Sequence, residues 1–193
     1  MNRLYQVIVC ILRPFFFLLF PYKVSGRENR SEGAAIVCAN HSSMIDPFFI
    51  AFGYGKDYQL QFMAKKEISK IPIVGWVLAK AGIFFVNRGA NDVDAIRTAM
   101  KVLKSGGKIM MFPEGTRVPE EKAVAAKTGA VRLASKLNVP LVPVYIPPKQ
   151  KLFSRVHVRI GAPFQVDKSG GKSDSELAEE LMSKIYALKV EMP

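Results

Sequence analysis

Residues 34–47 read AAIVCANHSSMIDP, and the order of residue types in that stretch decides the fold. Ala34, Ala35, Ile36, Val37, Cys38 and Ala39 follow one another with no polar interruption. A strand with one wet face alternates apolar and polar residues, so a short unbroken run predicts a strand covered on both faces. Asn40, His41, Ser42 and Ser43 then break the run. Asp46-Pro47 reads as a helix start, because the fixed φ and missing N–H of proline suit the first helical turn. Strand, turn and helix in that order open an α/β unit.

The pattern recurs outward from this stretch. Residues 83–86 and 141–146 are further apolar runs of strand length, and residues 59–64 and 108–112 also read as strands. Residues 91–105 read as a helix in which Val93, Ile96, Met100 and Leu103 keep the three-to-four spacing, stopped by Gly106-Gly107. A second helix over residues 127–137 halts before Pro140. Residues 153–160 alternate, with Val156, Val158 and Ile160 on one face, which puts His157 at the surface of an edge-like strand. Ser173 and Glu176 have capping-box spacing, followed by the apolar stripe Leu177, Leu181, Ile185 and Leu188. The expected fold class is α/β: a single layered domain with a largely parallel or mixed sheet flanked by helices, plus an N-terminal apolar membrane-anchoring segment.

That segment is the most apolar part of the chain, LYQVIVCILRPFFFLLFPY over residues 4–22. A spanning helix needs about 20 unbroken apolar residues, and Arg13-Pro14 divides this run. The same pair counts against a cleaved secretory signal. The reading is a kinked segment that dips into one leaflet, with Arg3, Arg13, Lys23, Arg27 and Arg30 reaching anionic headgroups; the alternative is a core helix. The division is then residues 1–25 for membrane association and 26–193 for the folded domain. Residues 68–81, with Trp76, read equally as an interfacial patch or as a core helix interrupted by Pro72 and Gly75.

Of the 193 residues, 28 are Lys or Arg and 16 Asp or Glu, a net charge of +12, so the partner is anionic: nucleic acid, a phosphorylated substrate or an acidic membrane. Nucleic acid finds no support, since Gly171-Lys172-Ser173 lacks the earlier glycine of a P-loop and no aromatic-basic repeat is present. Two Cys and two His exclude a disulfide framework and the usual zinc clusters.

His41, with Asp46 five residues on, is a minimal general base: the carboxylate fixes the tautomer and stabilises the imidazolium that forms. By itself Asp46 serves equally well as a helix cap. Phe112-Pro113-Glu114-Gly115-Thr116-Arg117 follows another strand with a turn that exposes backbone N–H groups and a guanidinium able to grip a phosphate; the plain alternative is a turn with a solvated arginine. Arg88 and the pair Lys65 and Lys66 close two further strands. Basic groups at three strand ends and His41 at a fourth suggest an anion site beside a general base.

With these motifs in order, the chain resembles the lysophosphatidic acid acyltransferases of the glycerolipid acyltransferase superfamily over roughly residues 34–165. Residues 40–46, NHSSMID, are similar to the family's first motif, residues 82–89 (GIFFVNRG) to its second, residues 112–117 (FPEGTR) to its third, and Val142-Pro143-Val144 to its fourth. The resemblance implies His41 and Asp46 as the catalytic pair. It likewise implies Lys65, Arg88 and Arg117 on the phosphate, with Glu114, Gly115 and Thr116 forming the substrate pocket. Thr116 resembles the lysophosphatidate branch, whereas glycerol-3-phosphate acyltransferases tend to carry a second glycine there; Val118 stands where a serine is common and receives no role. The implied reaction moves an acyl group from an acyl carrier protein or coenzyme A thioester to the sn-2 hydroxyl of 1-acyl-glycerol-3-phosphate, giving phosphatidic acid. No cofactor or metal is implied. The implied location is monotopic, on the cytoplasmic face of a membrane. The competing readings are another glycerolipid or lysophospholipid acyltransferase, and a non-catalytic binder of anionic lipid.

Overall fold

In the computed structural model of the chain, residues 2–86, 93–118 and 124–189 are described. The strands are β1 (Tyr22–Ser25), β2 (Ala35–Ala39), β3 (Leu60–Lys65), β4 (Phe84–Val86), β5 (Lys108–Met111), β6 (Leu141–Tyr145) and β7 (Val156–Ile160). The helices are α1 (Arg3–Leu19), α2 (Asp46–Tyr54), α3 (Val74–Lys80), α4 (Val93–Lys104), α5 (Gly129–Leu137) and α6 (Asp174–Ala187).

The apolar run of residues 34–39 becomes β2, at the centre of a seven-stranded sheet of order β1-β7-β6-β2-β5-β3-β4. It lies parallel to both neighbours, with Val37 opposite Met110 on β5 and Val142 on β6. Its two faces feed two cores. Ala35, Val37 and Ala39 join Phe49, Ile50 and Phe52 of α2 and Tyr5 and Val9 of α1. Ile36 and Cys38 join Ala99 and Leu103 of α4, Val131 and Ala134 of α5, and Leu181 and Ile185 of α6. Each fully buried Phe, Ile or Leu here stabilises by about 1.5–3 kcal/mol, and an interruption of β2 disturbs both cores.

The sheet is mixed, since β6 and β7 are antiparallel while every other neighbouring pair is parallel. β6, β2, β5, β3 and β4 therefore run one way, and their C-terminal ends share one edge of the sheet. That edge is where open α/β sheets hold their ligands.

Two details differ from expectation, and a third decides between alternatives. β7 does not lie at an edge: β1 pairs with it, Lys23 facing His157 in register, so His157 is half-buried rather than a surface residue. Alternation reports which face of a strand is wet, not what lies beside it. In α4 the buried residues are Ala99, Val102 and Leu103, while Val93 and Ile96 are exposed. Only the later turns of that helix lie on the sheet. Residues 68–81 form a 3-10 turn over Lys66–Lys70 and then α3, with Ile73 and Trp76 exposed. Gly75 allows a close crossing there, since a Cβ would stand 2.3 Å from the Ser69 carbonyl oxygen.

The N-terminal segment packs one face on the core, as the core-helix reading has it, and leaves another face exposed. Helix α1 runs continuously through Pro14, and the Asn2 side chain caps it by accepting the Leu4 N–H at 2.9 Å. Tyr5 and Val9 are buried, with Phe16 and Phe20 packed on the same core, whereas Val7, Ile11, Phe15 and Leu18 face outward uncovered. No helix among the described residues is long and apolar enough to cross a membrane.

Candidate active site

His41 stands two residues beyond β2 and Asp46 opens α2, so one turn carries both. His41 Nδ1 and Asp46 Oδ2 are 2.9 Å apart. Asp46 is fully inaccessible, and the same Oδ2 accepts the Ser42 and Ser43 N–H groups at 2.7 Å each. An oxygen that already accepts two backbone donors is an acceptor for the imidazole too. The Nδ1–H therefore donates, and the lone pair is on Nε2, where a general base needs it. Asp46 Oδ1 accepts the Gln150 side-chain amide at 3.0 Å. The helix-cap alternative is thus partly realised, but the N–H groups held belong to the preceding turn rather than to the helix. The N-cap, Ile45, makes no side-chain cap bond.

His41 is held by three further contacts, one to its ring and two to its backbone. Its ring stacks on Phe112, centroids 3.9 Å apart and planes 15° from parallel. The His41 N–H donates to Glu114 Oε2 at 2.7 Å, and the His41 carbonyl accepts the Val118 N–H at 2.7 Å. Glu114 is itself buried, and its Oε1 accepts the Tyr186 hydroxyl of α6 at 2.7 Å. Burial pushes the Glu114 carboxyl above the usual carboxylate range, opposed by the bonds from Tyr186 and His41. Asn40 fastens the end of β2 to that of β6: its amide donates to the Ile146 carbonyl at 2.7 Å and accepts the Ile146 N–H at 2.9 Å.

The turn after β5 thus wraps around His41, with Pro113 and Glu114 buried and Gly115, Thr116 and Arg117 exposed. Gly115 has φ +69°, and a Cβ there would stand 3.1 Å from Lys127 Cγ, so glycine suits the site on both counts. Val118 has no polar side chain to offer, but its buried backbone contact sets Arg117 one residue from His41's carbonyl. Lys65 ends β3 at the same sheet edge, opposite Val86 in register. Arg88 lies outside the described residues. Cys38, three residues before His41, is fully buried, and desolvation holds its thiol far above the ordinary range.

A model of the acyltransferase family matches residues 21–147. The chain belongs to that family. The stretch matched contains every site residue anticipated from the sequence, from His41 to Arg117. Among relatives of this family member, the 1-acyl-sn-glycerol-3-phosphate acyltransferase of Bacillus subtilis is 33% identical over 141 residues, 72% of this chain and 69% of that one. A chloroplastic 1-acyl-sn-glycerol-3-phosphate acyltransferase of Arabidopsis thaliana is 29% identical over 165 residues, and the match spans 46% of its length. The chain thus spans less than half of that plant relative. The crystal structure of the 1-acyl-sn-glycerophosphate acyltransferase PlsC from Thermotoga maritima superposes with a TM-score of 0.75 at 29% identity, covering 98% of this chain and 81% of that one.

Asn40, Gln150 and Tyr186 carry site contacts that sequence reading did not assign. Asn40 sits inside the first motif and was legible as a turn residue. Gln150 and Tyr186 lie beyond the matched stretch, 104 and 72 residues from the carboxylates they contact, and nothing in local spacing marks them.

Proposed function

We propose that this chain transfers a fatty acyl group from an acyl carrier protein or coenzyme A thioester to the sn-2 hydroxyl of 1-acyl-glycerol-3-phosphate, releasing phosphatidic acid and the free thiol. The observation that carries the reading is the buried 2.9 Å His41–Asp46 pair, with the arginine-bearing turn held against it through Val118. His41 Nε2 takes the hydroxyl proton as the oxygen bonds to the thioester carbonyl carbon. The tetrahedral intermediate then collapses with cleavage of the C–S bond, and the imidazolium returns its proton to the departing sulfur. Asp46 stabilises the imidazolium between the two transfers. No side chain becomes acylated, in keeping with a buried Cys38 whose thiol stays protonated.

Arg117, Lys65 and Arg88 take the acceptor's phosphate, a dianion suited to a bidentate guanidinium. Glu114, Gly115 and Thr116 shape the pocket around it. The outward face of α1 enters one leaflet of the cytoplasmic membrane surface, where a lysolipid acceptor resides, and the net positive charge draws the chain to anionic headgroups. The same charge favours an acidic carrier protein as donor.

The test is acyl transfer from a labelled thioester to 1-acyl-glycerol-3-phosphate in detergent, with the native chain beside His41→Ala and Arg117→Ala. Loss of the base lowers kcat by about 10²–10⁴. Loss of the guanidinium raises KM for the phosphate-bearing acceptor and leaves use of a headgroup without a phosphate monoester unchanged. A fully active His41→Ala chain ends the mechanism, and transfer confined to another lysolipid ends the substrate assignment.

A further inference from the structure

We propose that residues 149–155, between β6 and β7, form a second lipid-docking surface whose occupant is an anionic bilayer. The inference rests on the membrane reading of α1 and adds a contact from a distant part of the chain. Leu152 is 57% exposed and Phe153 70% exposed, side by side at the tip of the loop. Phe153 holds φ at +60°, a left-handed conformation that bulky residues avoid. The tip is bound to α1, because the Phe153 N–H donates to the Leu19 carbonyl at 2.7 Å. Ser154 N–H closes a tight turn onto the Lys151 carbonyl at 3.2 Å. Leu152 and Phe153 therefore lie beside the end of α1 that exposes Phe15 and Leu18.

Charge decides what covers this patch. Lys149, Lys151 and Arg155 flank the two apolar residues and are exposed. No Asp or Glu occurs in residues 2–27 or in residues 124–166, the two segments that meet at the Leu19–Phe153 bond. The apolar pair extends the exposed face of α1 that carries Phe15 and Leu18, a surface built from two segments that one bilayer covers together. A bilayer accommodates both, the hydrocarbon side chains below the headgroups and the cations among them.

The experiment is flotation of the full chain with phosphatidylcholine vesicles, with and without phosphatidylglycerol. Leu152→Ser/Phe153→Ser should partition about tenfold less onto either vesicle. Lys149→Gln/Lys151→Gln/Arg155→Gln should lose the preference for anionic vesicles, by about fivefold per charge, and keep its binding to neutral ones. Both variants should turn over a water-soluble short-chain acceptor at the native rate, which separates a docking defect from misfolding. If both float like the native chain while Phe15→Ser/Leu18→Ser detaches, the loop proposal is overturned and the membrane reading of α1 stands. A native chain that fails to float overturns both. If the charge variant loses an acidic carrier protein while vesicle binding holds in both loop variants, the surface serves a protein and the lipid assignment is wrong.

Discussion

Two loops bring a buried carboxylate to His41, and they use it in opposite ways. The turn after β2 presents Asp46 to the imidazole nitrogen, and the turn after β5 presents Glu114 to the backbone N–H of the same residue. Asp46 is backed by Gln150 and Glu114 by Tyr186, each from far along the chain. In the proposed mechanism the carboxylate on the ring acts on the proton, while the one on the backbone acts on where the ring stands. On that proposal, identical functional groups held against one residue divide chemistry from scaffolding.

The division breaks most easily at Asp46. Asp46→Asn keeps the size of the side chain but supplies no charge for the imidazolium, so kcat should fall by about 10²–10⁴ with little change in KM for either substrate. Steady-state kinetics on a folded variant checks this. A kcat near native would mean that Asp46 only caps its turn.

Glu114→Gln should act on stability first. One amide oxygen cannot replace two carboxylate oxygens that accept from His41 and Tyr186, and the loss is about 1–3 kcal/mol. The pH dependence has a definite sign. Burial raises this carboxyl in the folded chain above its unfolded value. Its contribution to stability is therefore complete below the ordinary glutamate value and is lost as pH climbs through the raised one. The gap in thermal midpoint between native and variant chains should be wider in acid than at neutral pH. A gap that widens toward neutral pH would reverse the assignment.

What was legible in the sequence follows the same line. Residues 34–47 predict β2, its turn and α2 because each depends on neighbours: an apolar run, polar breakers and a proline at the first helical turn. His41, Asp46 and the turn holding Glu114 and Arg117 were legible for the same reason, as residues at strand ends. β1 was hidden because Tyr22–Ser25 is too short to show an alternation of its own and follows directly on the apolar segment, and only its pairing with β7 makes it a strand. The position of β7 inside the sheet was hidden with it. Gln150 and Tyr186 were hidden because their partners are set by packing, and local pattern holds no record of a contact formed after the chain has closed.

Gln150→Ala sharpens the comparison on the catalytic side. Asp46 keeps its contacts to His41, Ser42 and Ser43 but loses the donor on Oδ1, and the carboxylate is free to tilt. Gln150 touches no reacting atom, so it is a positioning residue. The expected result is a fall in kcat of about tenfold, equivalent to ~1.4 kcal/mol, with KM for the acceptor unchanged. A purely structural role would instead lower the thermal midpoint and leave kcat at its native value.

Tyr186→Phe makes the smallest change and tests the scaffolding side. The ring, which meets Tyr145 edge-on at 6.2 Å between centroids, is retained, and only the donor to Glu114 Oε1 disappears. Removing one neutral donor from a buried acceptor costs roughly 0.5–1.5 kcal/mol. Because the Tyr186 bond opposes the effect of burial on Glu114, its loss should push that carboxyl higher still and steepen the decline in stability toward neutral pH. Glu114 Oε2 would still hold the His41 N–H, so turnover should stay near native while the thermal midpoint falls by a few degrees. A drop in kcat matching that of Asp46→Asn, at unchanged stability, would place Tyr186 and Glu114 on the path of the proton and erase the distinction between the two carboxylates.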